Sequence, residues 1–333
     1  MTLEEDVTER VLNWGLLSTA NINRALIKPL RASKRNKLMA VGSRKQTSAE
    51  DYAREWDIPR AHGSYEALIN DPEIDIIYNS LPNHLHSEWT IKALQAGKNV
   101  LCEKPFALSL AEADAMISAS RETGKVLAEA FMYRHHPQTL KVKEMVDSGV
   151  IGELQAVKGV FTFTLTREND IRSKKETGGG SIWDVGCYPI SFARAMIGAE
   201  PMEVFGWQVM GAAGADVSFF GQIRFPNEIY AQFDSGFQTP FRAQVEIIGS
   251  QGILNIPEPF KPGRDEKIYL TRSDRTETIK IPGSELYIGE VEDMADAILL
   301  GKTPRVSLND SRGNTAVILA LIESARTGKP VNL

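Results

Sequence analysis

With 333 residues, 42% of them hydrophobic and 24% charged, and a net charge of −5, the chain is long enough for two domains with a full core and has the composition of a soluble globular protein. It has no basic tract and no apolar run of membrane-spanning length, so neither nucleic acid nor membrane is an expected partner. Its two cysteines, Cys102 and Cys187, give neither a disulfide framework nor a metal-ligand spacing, so no metal site is expected and a reducing cytoplasm is the simplest setting.

Residues 1–11 read as a frayed leader, acidic and without the apolar segment of a secretory signal. Leu12 to Leu17 is a short apolar strand, followed by a turn of small residues and a helical pattern carrying Ala25, Leu26 and Leu30. Strand, turn and helix in this order form the frame of a dinucleotide fingerprint, with pyrophosphate held on N–H groups at the helix start. The glycines are absent. Ser18, Ala20 and Asn23 stand where G-x-G-x-x-G would place them, although small side chains at Ser18 and Ala20 still permit close approach. Ser18, Thr19, Ala20, Asn21 and Ile22 are therefore the candidate phosphate turn. The next strand, Leu38 to Gly42, runs into Ser43, Arg44 and Lys45. An NAD-type site places an acid here for the ribose 2′-hydroxyl, whereas a serine with two cations suits a 2′-phosphate and so NADP. The same three residues also read as a plain basic turn.

Helical patterns follow at Ala49 to Trp56 and Ser64 to Ile69, then a strand at Asp75 to Asn79. It enters the polar turn Ser80-Leu81-Pro82-Asn83-His84-Leu85-His86 before a helix over Glu88 to Gln95. Both histidines read as structural or helix-capping residues. The run Val100-Leu101-Cys102-Glu103-Lys104-Pro105 is a buried strand closed by an acid, a base and a proline. Open α/β sheets bind ligands at that carboxyl edge. The following proline, with φ near −65° and a cis form in about 5% of X-Pro bonds, gives Lys104 a defined direction there. Lys104 reads either as the chemical centre or as a solvated lysine paired with Glu103. A capping box, Ser109 to Glu112, opens a helix to Thr123, and a strand from Val126 to Phe131 completes an alternation that predicts a doubly wound parallel sheet. From Leu154 onward extended segments predominate and predict an α+β domain with a large, mostly antiparallel sheet. Helices are expected over Ser181 to Met196, Gly289 to Leu300 and Ser311 to Ala325. Asp184 and Tyr188, four apart in the first of these, share one helix face, and Pro189 predicts a bend beside them. By residue type they read as a helix-end acid and a core tyrosine.

Several features in sequence resemble the Gfo/Idh/MocA oxidoreductase family, named for glucose-fructose oxidoreductase, inositol dehydrogenase and a rhizopine-catabolism protein. They are the turn Ser18 to Asn23, Leu81-Pro82-Asn83 with His86, Glu103-Lys104-Pro105, Tyr133-Arg134-His135-His136-Pro137 leading to Ser148-Gly149-Val150-Ile151-Gly152, and Gly178-Gly179-Gly180-Ser181-Ile182-Trp183-Asp184-Val185-Gly186-Cys187-Tyr188. The resemblance runs from about residue 12 to the end of the chain. It implies a Rossmann-type domain over 12–133 and a substrate and oligomerisation domain over 134–333, with the last helix able to pack back on the first. It also implies hydride transfer between NADP(H), or NAD(H), and a carbinol or carbonyl carbon of a sugar, polyol or cyclic diol.

Many members carry histidine where this chain has Tyr188, while those of the dihydrodiol dehydrogenase and NADP-dependent D-xylose dehydrogenase type carry tyrosine. The resemblance therefore makes Tyr188 the acid/base, Lys104 its tuning cation and Asp184 a substrate-positioning group. A free phenol titrates near pH ~10, so a neighbouring ammonium is needed to bring it toward neutrality. By the same resemblance Ser80, Leu81, Pro82, Asn83, His86, Glu103 and Arg172 touch the cofactor, and Arg134, His135 and Trp183 the substrate. Packing explains His135, and an exposed loop cation Arg172, nearly as well. A homodimer or homotetramer through the second domain's sheet is expected. The alternatives are a nucleotide-binding sensor without net redox and an NAD-dependent glycoside hydrolase.

Overall fold

The computed structural model describes residues 10–167 and 169–333, so most of the expected leader lies outside it. The chain first alternates β1 (Leu12–Leu17), α1 (Asn23–Ala32), β2 (Asn36–Gly42), α2 (Gln46–Glu55), β3 (Arg60–His62), α3 (Tyr65–Ile69), β4 (Ile76–Asn79), α4 (His86–Gln95), β5 (Asn99–Glu103), α5 (Leu110–Thr123) and β6 (Leu127–Ala130). Then come α6 (Pro137–Asp147), β7 (Leu154–Thr162), α7 (Cys187–Ile197), β8 (Glu203–Met210), β9 (Asp216–Arg224), β10 (Tyr230–Gly236), β11 (Arg242–Gly249), β12 (Ile253–Ile256), β13 (Asp265–Arg272) and β14 (Arg275–Pro282). The described chain ends with α8 (Ile288–Leu300), α9 (Leu308–Thr327) and β15 (Val331–Asn332).

These elements form two compact units. One runs through His135 and takes back Tyr287–Arg312, and the other comprises His136–Leu286 and Gly313–Leu333. The first unit is the expected doubly wound sheet, all parallel, in the order β3-β2-β1-β4-β5-β6. Apart from the half-buried edge strand β3, its strands are buried on both faces, as a parallel sheet covered by helices requires, and five of the six residues of β1 are buried. The chain winds outward from β1 in one direction and from β4 in the other, which makes the β1/β4 boundary the switch point where such sheets bind ligands. Ser109 caps α5 as expected, its hydroxyl accepting the Glu112 N–H at 3.2 Å, while the Glu112 carboxylate reaches back to the Leu108 N–H.

The division differs from the sequence expectation at 133/134, because α8 belongs to the first unit. Val291, Met294 and Ala295 of α8 join the core around Leu12, Trp14, Leu26 and Leu30. The Arg35 guanidinium fixes the helix to the start of β2, donating to Glu292 Oε2 at 2.9 Å and to Asp296 Oδ1 at 2.7 Å. An amphipathic pattern shows that a helix buries one face, but not against which core. Of α9, only residues up to Arg312 join the first unit.

In the second unit nine strands run in the order β14-β13-β12-β11-β7-β10-β9-β8-β15, antiparallel except for the parallel pair β7/β10. Four of its elements were not read from the sequence. The β13–β14 hairpin is obscured by its charge, β14 being an almost fully exposed edge strand. The helix α6, which opens on Pro137, was not read as a helix, and β15 is too short to show a period.

Candidate active site

The loops after β2, β1, β4 and β5 meet along the carboxyl edge of the parallel sheet because those strands lie side by side in that order. Ser18, at the first glycine place of the fingerprint, adopts φ 134°, a backbone that costs a non-glycine residue about 1–3 kcal/mol. Its hydroxyl supplies compensation. Oγ accepts the Ala20 N–H at 3.1 Å and lies 2.9 Å from Ser80 Oγ, while Asn23 Nδ2 donates to the Ser18 carbonyl at 2.7 Å. The serine thus holds a glycine-like turn and ties it to the loop after β4. Thr19, Ala20 and Ile22 are half-buried and Asn21 is exposed.

No side chain caps the start of α1 or α2, whereas α3 and α5 begin on the hydroxyls of Ser64 and Ser109. The helices α4, α7 and α8 also start without a side-chain cap, but α1 and α2 are the ones that follow β1 and β2, where a pyrophosphate and a ribose phosphate would be held. The residues therefore fit a dinucleotide. At the end of β2, Ser43 is buried and Arg44 and Lys45 are exposed.

The loop after β4 is buried at Ser80 and Leu81 and continues through the half-buried Pro82 and Asn83. His86 opens α4 and is wholly buried. Its Nδ1 lies 2.8 Å from the Pro105 carbonyl and its Nε2 2.8 Å from the Leu81 carbonyl. Burial, against these two carbonyls, pushes its pKa down to about 4, so the ring is neutral at ordinary pH. The implied cofactor contact of His86 is thereby corrected, since a side chain without exposed surface touches no ligand.

Glu103 is also turned inward. Its carboxylate accepts the Tyr78 hydroxyl and, at 3.2 Å, the Lys104 N–H. Burial and then the Glu103 charge hold the Tyr78 phenol well above the usual tyrosine range, as a hydrogen-bond donor. Lys104 is half-buried, its peptide bond to Pro105 is cis, and the Phe106 N–H donates to Glu129 Oε1 at 2.9 Å. Arg134 and His135 lie in the turn Met132–His135 and are occupied within the first unit. Arg134 Nη1 sits 2.9 Å from Asp310 Oδ2. The His135 side chain is 5% exposed. Burial drives its pKa down to about 3. It packs so tightly on Gly289 that a Cβ there would stand 2.6 Å from its own. His135, expected at the substrate, is instead part of the packing under α8.

The second unit carries Trp183, Asp184 and Tyr188 on one continuous helical segment. A wide turn of π geometry, Ile182–Gly186, leads into α7. Pro189 falls in the first turn of α7, directly after the wide turn. The helix irregularity lies upstream, and wide turns of this kind recur at functional sites. The segment starts on a buried carboxylate: Asp216 Oδ2 accepts the Ser181 hydroxyl at 2.5 Å and the Ile182 N–H at 3.1 Å. Gly180, at φ 130°, is required here, since a Cβ would stand 2.3 Å from Asp216 Oδ1.

Tyr188 is 4% exposed and walled by rings, with Phe161 at 5.3 Å and Phe260 at 5.6 Å between centroids. The Arg172 guanidinium bridges Asp184 Oδ2 at 3.0 Å and Asp170 Oδ1 at 3.2 Å. The Asp184 charge raises the pKa of Arg172. Trp183 is 7% exposed. Phe161, Phe260 and Asp216 were not singled out in the sequence. Gly180-Ser181 before the helix was the available signal for Asp216, and nothing local marks its partner on β9. Among the described residues no group of His, Cys, Asp and Glu could hold a metal, and no helix is long and apolar enough to cross a membrane.

Two family models match the chain. Residues 12–131 match the oxidoreductase family with an NAD-binding Rossmann fold, and residues 139–255 the GFO/IDH/MocA C-terminal domain. The chain is 35% identical over 323 residues to a D-xylose 1-dehydrogenase (NADP(+)) of Haloferax volcanii, covering 96% of this chain and 99% of the relative. It is 29% identical to the trans-1,2-dihydrobenzene-1,2-diol dehydrogenase of Xenopus laevis, covering 90% and 93%. Among solved structures, a 3-ketoreductase from Actinomadura kijaniata in complex with NADP and TDP-benzene superposes with a TM-score of 0.90 at 29% identity, covering 95% and 98%. Matched in both units and along nearly its whole length, the chain belongs to the Gfo/Idh/MocA oxidoreductase family and is an enzyme of that family's dehydrogenase and reductase kind.

Proposed function

We propose that the chain is an NADP(H)-dependent dehydrogenase or reductase acting on a carbinol or carbonyl carbon of a sugar, polyol or cyclic diol, with NAD(H) as a second possible cofactor. The observation that carries this reading is the wide-turn segment of the second unit. It holds Asp184 in an ion pair with Arg172 and sets Tyr188 one turn further, against an aromatic wall.

The cofactor, when bound, supplies or takes up the hydride. Ser18 to Ile22 would hold its pyrophosphate, Ser43, Arg44 and Lys45 its ribose phosphate, and Ser80 to Asn83, with Glu103, Lys104 and Arg172, the rest. Tyr188 passes a proton to or from the substrate oxygen. An apolar wall disfavours a phenolate, so the Lys104 ammonium is the group that stabilises it. Asp184 orients the substrate hydroxyl and is itself oriented by Arg172. The Actinomadura 3-ketoreductase, solved with NADP and TDP-benzene, supports adding a nucleotide sugar to the candidate substrates.

A homodimer or homotetramer in the cytoplasm completes the proposal. Its support is the uncovered face of the second sheet, where Trp207, 54% exposed, stands directly opposite Phe220, 48% exposed, with Tyr230, 45% exposed, on the next strand.

The test is turnover at 340 nm with NADP(H) on a panel of aldoses, inositols, diols and nucleotide keto-sugars. Tyr188→Phe is expected to lose about 10²–10⁴ in kcat while still binding NADPH. Lys104→Met is expected to shift the acidic limb of the oxidation profile, where the phenolate base is lost to protonation, to higher pH, since removing a cation raises a phenol's pKa. Full turnover by Tyr188→Phe would remove the tyrosine from the mechanism.

A further inference from the structure

The ladder between β4 and β5 ends at Asn79 and Cys102. Beyond it the two chains separate into the Ser80–Leu85 loop and the Lys104–Phe106 loop, and the His86 side chain joins them. His86, without exposed surface, has Nε2 2.8 Å from the Leu81 carbonyl and Nδ1 2.8 Å from the Pro105 carbonyl. Its own carbonyl is fixed to β4, accepting from Asn79 Nδ2 at 3.1 Å, and that amide also donates to Thr90 Oγ1 at 3.0 Å. The Asn79 carbonyl oxygen, in turn, accepts the Leu81 N–H at 3.3 Å. The imidazole therefore takes over the spacing of the two chains where the ladder stops.

We propose that His86 is a positioning residue that holds the loop after β4 at a fixed distance from Lys104–Pro105, so that nucleotide binding and the placement of the Lys104 ammonium depend on each other. The proposal rests on the reading of these two loops as part of the NADP(H) site. A neutral imidazole carries one N–H for two carbonyls. One loop is thus hydrogen-bonded, while the other carbonyl faces the ring's unprotonated nitrogen with two lone pairs opposed, so that contact is the one able to adjust when ligand arrives. The Lys104 ammonium adds to burial in keeping the ring neutral. A purely structural histidine at this place would affect melting and nothing else. A positioning one would affect the cofactor and the lysine together.

The experiment titrates NADPH by fluorescence against wild type, His86→Gln and His86→Ala, and measures kcat and sugar KM on the panel's best substrate well below the melting temperature. The expected result is an NADPH Kd raised about tenfold and a kcat lowered about tenfold, each the size of one lost hydrogen bond, with sugar KM unchanged. Either variant folding with both constants at wild-type values overturns the proposal. Should neither variant fold, amide exchange on wild type decides. Residues 83–85 and 106–108 are expected to gain protection together when NADPH is added, and protection of one loop alone overturns the proposal. If wild type binds no NADPH, the nucleotide reading fails first and takes this inference with it.

Discussion

At the carboxyl edge of the first unit, polar side chains hold main chain: Ser18 holds the turn after β1, His86 the loops after β4 and β5, and Glu129 the Phe106 N–H. In the second unit, Tyr188 is held by rings, and a single buried carboxylate, Asp216, anchors the helix that carries it. The difference matches the ligands proposed for each. A dinucleotide is recognised through main-chain donors, so loops must be spaced to within a fraction of an ångström, which directional hydrogen bonds do well. An acid/base phenol needs a dry, rigid setting, which aromatic packing supplies without adding competing polar groups.

The comparison breaks first, and by the largest amount, at Phe260. It is fully buried, stacks on Phe161 at 5.3 Å, and touches both Tyr188 and Phe192. Phe260→Ala is expected to cost about 3–5 kcal/mol in urea unfolding and to lower kcat while leaving the NADPH Kd unchanged. A raised Kd would show that the two halves are not held independently.

Next is Asp216. Asp216→Ala leaves the Ser181 hydroxyl and the Ile182 N–H without their acceptor and should cost about 1–3 kcal/mol, whereas Asp216→Asn keeps an acceptor and should cost less. Burial, opposed by the Ser181 and Ile182 hydrogen bonds, raises the Asp216 pKa above 3.8. A raised carboxyl pKa contributes stability that is complete below the unfolded value and is lost as pH rises through the folded one. Wild type should therefore gain stability relative to Asp216→Asn as pH falls from about 6 toward about 4, read from urea midpoints. A constant difference across that range would reject the raised pKa.

The smallest effect sharpens the comparison at Ser18. Ser18→Ala keeps the unusual φ and loses the hydroxyl's contacts, so a loss of about 1–2 kcal/mol is expected. Ser18→Gly loses the same contacts but relieves the backbone and should melt close to wild type. Equal losses in the two variants would mean that φ at this turn carries no cost.

Strand periods, the Ser109 cap and the motifs around Ser18, Lys104 and Tyr188 fixed in advance the parallel sheet, the second sheet and the family, because each depends on neighbours within a few residues. The sequence by itself therefore determined which residue types stand at each strand end. Only the tertiary structure decided what they face. The apolar stripe of α8 gave no sign that it would cross to the first core, and nothing near His135 showed that Gly289 would cover it. His86 carried the right motif but sits one layer beneath the site, because its carbonyl partners, Leu81 and Pro105, belong to two different strands' exits. Burial and hydrogen-bond partnership are properties of segments far apart in the chain, and no local pattern of side chains encodes them.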